Sequence, residues 1–262
     1  MKALVLARGL GTRMRAVAGG AALEPAQEAA ADAGHKAMMP FGRPFLDHVL
    51  HRLADAGVDD VALVIGPEHA QMRAYYGALE TTRITISFVT QARPLGTADA
   101  VASAEAWAGR DVFLTLNGDN LYPLDALARM AAGTTPALAG FRRDSLGLPL
   151  ERIAAFALVG RDDAGRLARI VEKPGESAVM EAGPDARISM NLWRFDARIF
   201  GACREVPLSP RGELELPHAV EFALAAGVPF EVVDVEGEVL DLSRRSDVAA
   251  IALSLDGARV AL

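Results

Sequence analysis

The sequence predicts an α/β protein built in three layers, α/β/α, around a mixed and mostly parallel central sheet. In the first half of the chain, short apolar runs alternate with segments of helical periodicity, which is the pattern of βαβ units. In the second half strands follow strands, so some of the pairing should be antiparallel. The 262 residues are 51% hydrophobic and 23% charged, which supplies enough apolar material for a large core.

The first half is expected to form the parallel part of the sheet. A buried first strand at residues 2–7 leads into a glycine-bearing loop at residues 8–15, and a helix is predicted over Pro25–Ala33. Residues 44–56 carry apolar side chains at helical spacing, and Gly57 follows as a stop. Further strands are predicted at residues 61–65, 84–89 and 112–116, and further helices at residues 67–76, 97–106 and 124–132.

The second half should complete the same sheet. The expected strands are residues 137–142, 155–159, 167–172, 188–195, 230–235 and 238–240. The expected helices are residues 197–203, 216–226 and 246–255. No repeat and no linker is visible, so the chain is predicted to be a single domain over residues 1–262, with a front half of about 1–135 and a back half of about 136–262.

Composition excludes several classes of function. The net charge is −7 and no long basic run occurs, so an extended nucleic-acid surface is not expected, although a few Arg and Lys can still form an anion pocket. No apolar stretch is long enough to span a membrane, and the apolar run at the start ends too soon for a signal peptide. Cys203 is the only cysteine, which fits a reducing compartment. A cytoplasmic protein without nucleic-acid or membrane partners is expected.

The most informative local feature is the string A-R-G-L-G-T-R-M-R at residues 7–15, directly after the first strand. Gly9 and Gly11 allow a tight turn that brings backbone N–H groups close to a ligand, and Arg13 and Arg15 add donors for phosphate oxygens. A dinucleotide fingerprint would need glycine where Met14 stands, and a Walker loop would need Gly-Lys-Ser or Gly-Lys-Thr. Both are excluded, which leaves another kind of phosphate loop or a tight turn with surface arginines.

Other motifs in the chain favour the interpretation of residues 7–15 as a phosphate-binding loop over a tight turn with surface arginines. Together with G-L-G-T-R-M they resemble, in order, the signature of the sugar-phosphate nucleotidylyltransferases. The resemblance covers nearly the whole chain and implies a Rossmann-like nucleotide-diphospho-sugar transferase fold. The motifs are K-A-M-M-P-F-G-R-P at 36–44, Q-A-R-P-L-G-T-A-D-A-V at 91–101, N-G-D-N-L-Y-P at 117–123, V-E-K-P at 171–174, S-M-N-L-W-R-F at 189–195 and R-G-E-L-E-L-P at 211–217.

The resemblance implies an enzyme that joins a nucleoside triphosphate to a sugar 1-phosphate and releases pyrophosphate, with Mg²⁺ as cofactor. The front half would bind the nucleotide and the back half the sugar. By this resemblance the catalytic residues are Arg13, Lys36 and Asp119, and the metal ligands are Asp119 and Asp241. The implied nucleotide contacts are Gly9, Leu10, Gly11, Thr12, Gln91, Gly96 and Thr97. The implied contacts to the sugar phosphate are Glu172, Lys173 and Asn191, with Glu213 as a further sugar contact.

The chain also departs from that family pattern. Arg8 stands where a small residue is usual in the phosphate loop, and His35 stands where a proline precedes the lysine. The stretch between Arg13 and Lys36 is longer than usual by roughly a dozen residues, and Ala154 occupies a place where glycine approaches the sugar. These departures leave the sugar undecided. The nucleobase is undecided as well, because G-T-A-D-A-V at residues 96–101 resembles the version in ADP-glucose-forming enzymes, whereas a glutamine several residues earlier is more typical of enzymes that use UTP or dTTP.

Two other functions stay open. The first is a cytidylyltransferase acting on a non-sugar phosphate such as phosphocholine. An aromatic cage for the quaternary ammonium would favour it, but aromatic residues are only 6% of the chain and give little support for such a cage. A catalytically silent, sugar-nucleotide-binding regulatory domain would be favoured by loss of Arg13, Lys36 or Asp119, and all three are present. A homo-oligomer is left open. His48, His51 and the pair Arg244-Arg245 are predicted to be exposed surface residues.

Overall fold

The computed structural model describes residues 1–9, 11–16 and 23–262. The strands of the described segments are β1 (Lys2–Leu6), β2 (Pro40–Phe41), β3 (Arg43–Pro44), β4 (Asp60–Ile65), β5 (Thr85–Thr90), β6 (Phe113–Asn117), β7 (Asn120–Leu121), β8 (Ala137–Arg142), β9 (Ala157–Arg161), β10 (Leu167–Glu172), β11 (Arg187–Phe195), β12 (Glu231–Val235) and β13 (Leu240–Asp241).

The helices surround this set of strands. They are α1 (Thr12–Arg15), α2 (Pro25–Ala33), α3 (Phe45–Asp55), α4 (Ala70–Ala78), α5 (Thr97–Ala102), α6 (Glu105–Ala108), α7 (Leu124–Ala132), α8 (Leu150–Ile153), α9 (Gly175–Glu181), α10 (Arg198–Glu205), α11 (Leu216–Ala225) and α12 (Val248–Leu255). Short 3₁₀ turns occur at Lys36–Met38, Arg143–Ser145 and Arg245–Asp247. In the described residues, no helix has the length and apolar character needed to cross a membrane.

One large mixed sheet joins the two halves of the chain. Its main path is β10-β9-β11-β6-β1-β4-β5, and β8 pairs with both β11 and β12. The front-half strands β6, β1, β4 and β5 pair in parallel, as predicted. The long strand β11 pairs antiparallel with β6, β8 and β9, so it connects the back half to the front half. The three-layer, mixed fold expected from the sequence is confirmed.

The central strands of the sheet contribute side chains to two cores because successive residues point to opposite faces of a sheet. In β1, Ala3 and Val5 join one buried cluster while Leu4 joins the other. The first cluster packs against α3, α7 and α12, and the second packs against α5, α10 and α11. This two-sided burial explains why β1, β4 and β6 are largely continuous apolar runs rather than alternating ones.

Several local predictions were wrong. The loop predicted at residues 8–15 contains the helix α1, and the helix predicted at residues 97–106 is divided into α5 and α6. The helix predicted at residues 67–76 begins only at Ala70 and ends at Ala78. His48 is buried rather than exposed, with its Nε2 3.3 Å from the Phe41 carbonyl. Its helix is covered on this side by the chain that precedes it, which periodicity within the helix does not reveal.

Candidate active site

A cleft of about 280 Å³ opens at the carboxyl ends of the parallel strands β1, β4 and β6. Ligands of open α/β sheets bind at this edge, where loops leave neighbouring strands. Its walls come from both halves of the chain. Among the residues assigned from sequence, those that line it are Gly9, Lys36, Gln91, Gly96, Thr97, Asp119 and Glu213.

The loop after β1 turns into the short helix α1. Gly11 lies in the left-handed region with φ of 62°, and a Cβ there would collide with the Gly34 backbone. Only glycine therefore permits this close approach between the loop and the end of α2. Met14 is fully buried and anchors α1, whereas Thr12 and Arg13 are exposed and free to meet a ligand. Leu10, a predicted nucleotide contact, lies outside the described residues.

Lys36 and Asp119 meet in the cleft as an ion pair, although they are 83 residues apart in sequence. Both side chains are largely buried. Burial lowers the pKa of Lys36, but the attraction of the Asp119 carboxylate outweighs it, so the pKa is raised above its ordinary value. Asp241 raises this pKa further and Arg13 lowers it, which places these two groups near the same ammonium. The site therefore brings together Arg13, Lys36, Asp119 and Asp241.

The two aspartates are joined through their backbones. β13 pairs with β7, placing Asp241 opposite Asn120, and the Leu242 amide donates to the Asp119 carbonyl at 2.9 Å. Burial raises the pKa of the Asp241 carboxyl, and repulsion from Asp119 raises it further. A divalent cation bound between the two carboxylates would relieve this repulsion.

The donor set fits Mg²⁺ better than a transition metal. No group of three or more His, Cys, Asp or Glu side chains that could hold a metal occurs in the described part of the chain. Mg²⁺ commonly takes only one or two protein carboxylates and completes its shell with water and substrate phosphates. Asp119 and Asp241 provide such a pair.

Asp241 is also held from its other side. Arg152 donates to Asp241 Oδ2 at 2.5 Å and to Asp247 Oδ1 at 2.8 Å. The Ser243 hydroxyl donates to the Asp241 carboxylate at 2.8 Å. These contacts fix the orientation of Asp241. The role of Arg152 could not be predicted from the sequence because its partners lie about 90 positions further along the chain.

The loop that follows β5 carries the predicted nucleobase contacts. Gln91 is buried, and its amide nitrogen donates to the Gly96 carbonyl at 3.0 Å and to Asp99 Oδ2 at 2.7 Å. Gly96 has φ of 124°, and a Cβ there would collide with the backbone of Leu214. Gln91 thus braces the loop while it lines the cleft.

The same loop is joined to the back half by three hydrogen bonds. The Ala98 amide donates to the Leu214 carbonyl at 2.8 Å, and the Leu214 amide donates to the Leu95 carbonyl at 2.7 Å. The Leu216 amide, at the start of α11, donates to the Thr97 hydroxyl at 2.9 Å. Thr97 therefore caps a helix of the back half, and its hydroxyl positions the cleft wall that includes Glu213.

The predicted sugar-phosphate residues stand out by backbone conformation. Among the described non-glycine residues, only Lys173 and Asn191 have positive φ, at 47° and 59°. Asn191 lies where the pairing of β11 with β8 changes register between Ser189 and Trp193. Such strained residues concentrate at functional sites. The two residues lie outside the lining of the 280 Å³ cleft, as do Glu172 and Asp241.

Glu172 belongs to a charged group that the sequence did not reveal as a unit. Burial raises the pKa of its carboxyl, and Glu215 raises it further, while His218, Lys173 and Arg211 oppose the shift. Glu215 is itself bound by Arg211 at 2.9 Å. The neighbouring cations therefore do not fully balance the negative charge of ionised Glu172. A carboxylate of this kind is suited to accept hydrogen bonds from ligand hydroxyl groups.

Arg245 corrects another prediction. It was expected to be solvated, but its side chain is only 9% exposed. Its Nε donates to the Met14 carbonyl at 3.0 Å, and its NH2 group is paired with Asp32. Arg245 thus ties the end of α1, next to Arg13, to α2 and to the segment after Asp241.

A three-layer fold whose cleft contains a glycine loop and a Lys–Asp ion pair, with Arg13 and Asp241 close to that ion pair, is typical of enzymes that transfer phosphorus-containing groups. The chain belongs to the nucleotidyl transferase family, whose family model matches residues 2–242.

Curated relatives in this family act on sugar 1-phosphates. The chain is 28% identical over 96% of its length to a glucose-1-phosphate thymidylyltransferase of Streptomyces antibioticus, of which it covers 65%. It is 26% identical over 94% of its length to a UTP–glucose-1-phosphate uridylyltransferase of Haloferax volcanii, of which it covers 93%. It is 32% identical over 75% of its length to a mannose-1-phosphate guanylyltransferase of Mycobacterium tuberculosis, of which it covers 49%. The chain therefore spans less than two thirds of the length of two of these three relatives.

Solved structures agree on the fold. A UDP-glucose pyrophosphorylase from Acinetobacter baumanii superposes with a TM-score of 0.75 at 19% identity, covering 99% of this chain and 95% of the other. A UDP-glucose pyrophosphorylase complexed with UDP-glucose gives 0.74 at 18% identity, covering 98% and 99%. At this identity the likeness establishes the architecture and not the substrate.

Proposed function

We propose that this protein transfers a nucleotidyl group from a nucleoside triphosphate to a sugar 1-phosphate, forming a nucleoside diphosphate sugar and pyrophosphate. The observation that carries the proposal is the convergence of Arg13, Lys36, Asp119 and Asp241 beside the glycine loop. Family membership and the activities of the relatives support it. They also favour it over transfer to phosphocholine and over a silent regulatory domain.

The chemistry consists of one displacement at phosphorus. An oxygen of the sugar 1-phosphate attacks the α-phosphorus, a new P–O bond forms, and the bond between the α-phosphorus and the bridging oxygen breaks to release pyrophosphate. Little covalent help from the protein is required, so positioning and neutralisation of charge supply the catalysis. Arg13, exposed on α1, is proposed to neutralise the α-phosphate and the leaving pyrophosphate.

Lys36 is proposed to hold the reacting phosphates. In the free protein its ammonium pairs with Asp119, so a bound triphosphate would have to replace or share that carboxylate. Its raised pKa keeps it protonated throughout the neutral range. We propose that Asp119 and Asp241 hold Mg²⁺, which supplies positive charge to the phosphate oxygens when it is bound. Arg152 and Ser243 orient the Asp241 carboxylate for that role.

The remaining predicted residues form two groups, one proposed to contact the nucleobase and the other the sugar phosphate. Gln91, Gly96 and Thr97 form the wall proposed to face the nucleobase. Glu172, Lys173 and Asn191 are proposed to bind the sugar phosphate, with Lys173 at the phosphate and Glu172 at sugar hydroxyls.

The test is release of pyrophosphate across a grid of nucleoside triphosphates and sugar 1-phosphates, with phosphocholine included, in the presence of Mg²⁺ and again with EDTA. We expect release with at least one sugar 1-phosphate and its loss with EDTA. Release only with phosphocholine, or with no acceptor at all, would contradict the proposal. Release that persists in EDTA would contradict the assignment of Mg²⁺.

A further inference from the structure

Tyr122 connects the front half of the site to the back half. It is 1% exposed, and its hydroxyl donates to the Met190 carbonyl at 2.6 Å. Tyr122 comes three residues after Asp119, and Met190 directly precedes Asn191. One buried hydrogen bond therefore joins the segment that carries a proposed metal ligand to the segment that carries a proposed sugar-phosphate contact.

The part of β11 that accepts this hydrogen bond is separated from the neighbouring strands. β11 pairs with β8 and β9 up to Ser189 and pairs again with β6 and β8 from Trp193, so residues 190–192 have no partner in the registers of the described strands. Asn191 lies in this gap with φ of 59°. A left-handed conformation is unfavourable for a residue with a side chain, and it persists where the surroundings hold it. The local contact, from the Asn191 amide to Ser189 Oγ, is long at 3.4 Å, and the Tyr122 hydroxyl supplies a shorter one at the preceding carbonyl.

Tyr122 is itself held in a fixed position. Arg52 donates to the Tyr122 carbonyl at 3.0 Å, and the preceding residue Leu121 pairs with β13. Burial raises the pKa of the Tyr122 hydroxyl well above its ordinary value, and Asp119 raises it further, while a hydrogen bond with the backbone of Asn117 opposes the shift. The hydroxyl therefore stays protonated and remains a donor throughout the neutral range.

We propose that Tyr122 is a positioning residue for the sugar 1-phosphate, because its hydroxyl holds the backbone at Asn191 in the left-handed conformation. The inference rests on the proposed function and adds a residue that acts on one of the two substrates. The direction of the Asn191 side chain follows from its backbone, and Tyr122 fixes that backbone relative to Asp119. The hydroxyl has one proton, which the Met190 carbonyl accepts, so it donates to no residue assigned to the triphosphate. Loss of the hydroxyl should therefore weaken binding of the sugar 1-phosphate and leave binding of the triphosphate unaffected.

The experiment compares the wild type with Tyr122→Phe and with Tyr76→Phe as the matched control. Tyr76 is buried on α4, and its hydroxyl donates to Asp47 Oδ1 at 2.8 Å. Each substitution removes one buried hydroxyl and keeps the ring, but only Tyr122→Phe removes a contact to β11. Asn191→Gly and the double variant with Tyr122→Phe complete a double-mutant cycle. The measurements are KM and kcat for the sugar 1-phosphate in pyrophosphate release, the equilibrium affinity for the triphosphate, and the backbone chemical shifts of Asn191, which report its φ.

In Tyr122→Phe we expect KM for the sugar 1-phosphate to rise about five- to tenfold, which is the effect of losing one typical hydrogen bond, while triphosphate affinity stays within about twofold. In Tyr76→Phe both quantities should stay within about twofold of the wild type. In the Asn191→Gly background, Tyr122→Phe should add less than about twofold, because the two residues act through the same backbone. The Asn191 chemical shifts should leave the left-handed range in Tyr122→Phe and keep it in Tyr76→Phe.

An unchanged KM in Tyr122→Phe, an equal loss of triphosphate affinity, or full additivity with Asn191→Gly would overturn the proposal, as would left-handed shifts of Asn191 that persist in Tyr122→Phe. If Tyr122→Phe does not fold, the double variant should, because glycine adopts positive φ without support, and an unfolded double variant would also overturn the proposal. The chemical shifts require no turnover. Absence of pyrophosphate release from the wild type would therefore contradict the transferase function, while the shifts would still decide whether Tyr122 holds the Asn191 backbone.

Discussion

Replacing Arg245 tests whether its contact with the Met14 carbonyl keeps the short helix α1 in position. The Arg245 Nε donates to the Met14 carbonyl, which has no other donor among the described residues, and Arg13 directly precedes Met14 on α1. Arg245→Met keeps most of the apolar stem and removes the donor. Because α1 has only four residues, it depends on such external contacts to keep its position.

The magnitude follows from the two contacts that are lost. A buried carbonyl that loses its donor costs about 1–3 kcal/mol, whereas an ion pair with Asp32, whose side chain is 64% exposed, contributes about 0–1 kcal/mol. A loss of about 2 kcal/mol corresponds to a decrease in Tm of roughly 4–8 °C for a chain of this size. Displacement of Arg13 should also weaken nucleoside triphosphate binding by up to about tenfold.

The assay is thermal unfolding and triphosphate binding of Arg245→Met beside Asp32→Asn, which removes only the exposed partner. We expect Asp32→Asn to lower Tm by no more than about 2–4 °C, less than Arg245→Met, and to bind triphosphate normally. A loss in Asp32→Asn as large as that in Arg245→Met would show that the ion pair, not the carbonyl contact, holds the helix. An unchanged Arg245→Met would refute the reasoning altogether.

Further predictions concern the two walls of the site. Thr97→Val removes the acceptor of the Leu216 amide and should lower the free energy of unfolding by about 1 kcal/mol. Thr97→Ser is the control because it keeps the hydroxyl. Equal Tm values for the two variants would contradict this prediction. Glu172 has a raised pKa, so its ionised form destabilises the fold above that pKa, and Glu172→Gln should raise Tm near neutral pH. This gain should shrink as pH falls through the raised pKa, because the wild-type carboxyl then becomes protonated. The same variant should weaken sugar 1-phosphate binding, and a Tm gain independent of pH would exclude the titration of Glu172 as its cause.

Local patterns of apolar residues predicted most of the helices and strands because each element buries its apolar side chains in the core. The helices Pro25–Ala33 and Leu124–Ala132 and the strand Leu167–Glu172 have the bounds that were predicted. The site was predicted through ordered motifs, and the structure brings Lys36 and Asp119 into contact across 83 residues. The roles proposed for these residues, the single domain, the oligomeric state and the cytoplasmic location stay predictions.

What the sequence did not reveal are contacts between distant polar groups. Arg245 follows another arginine and looks like a surface residue, but it is buried where it contacts Met14 and Asp32, both more than 200 positions away. Arg8 likewise has no local signature that points to its ion-pair partner Glu68, which lies after a different strand. A long polar side chain can become buried where the tertiary fold supplies a partner, and sequence periodicity does not reveal that partner.

The most direct test of the central claim is the product itself, measured by mass spectrometry after incubation with Mg²⁺, triphosphates and sugar 1-phosphates. The comparison includes wild type, Arg13→Ala, Asp119→Ala and the surface control Arg129→Ala. The account predicts a nucleoside diphosphate sugar from the wild type and the control, and a loss of roughly 100-fold or more in each site variant while both remain folded. Full product formation by folded Arg13→Ala and Asp119→Ala would show that the chemistry occurs elsewhere.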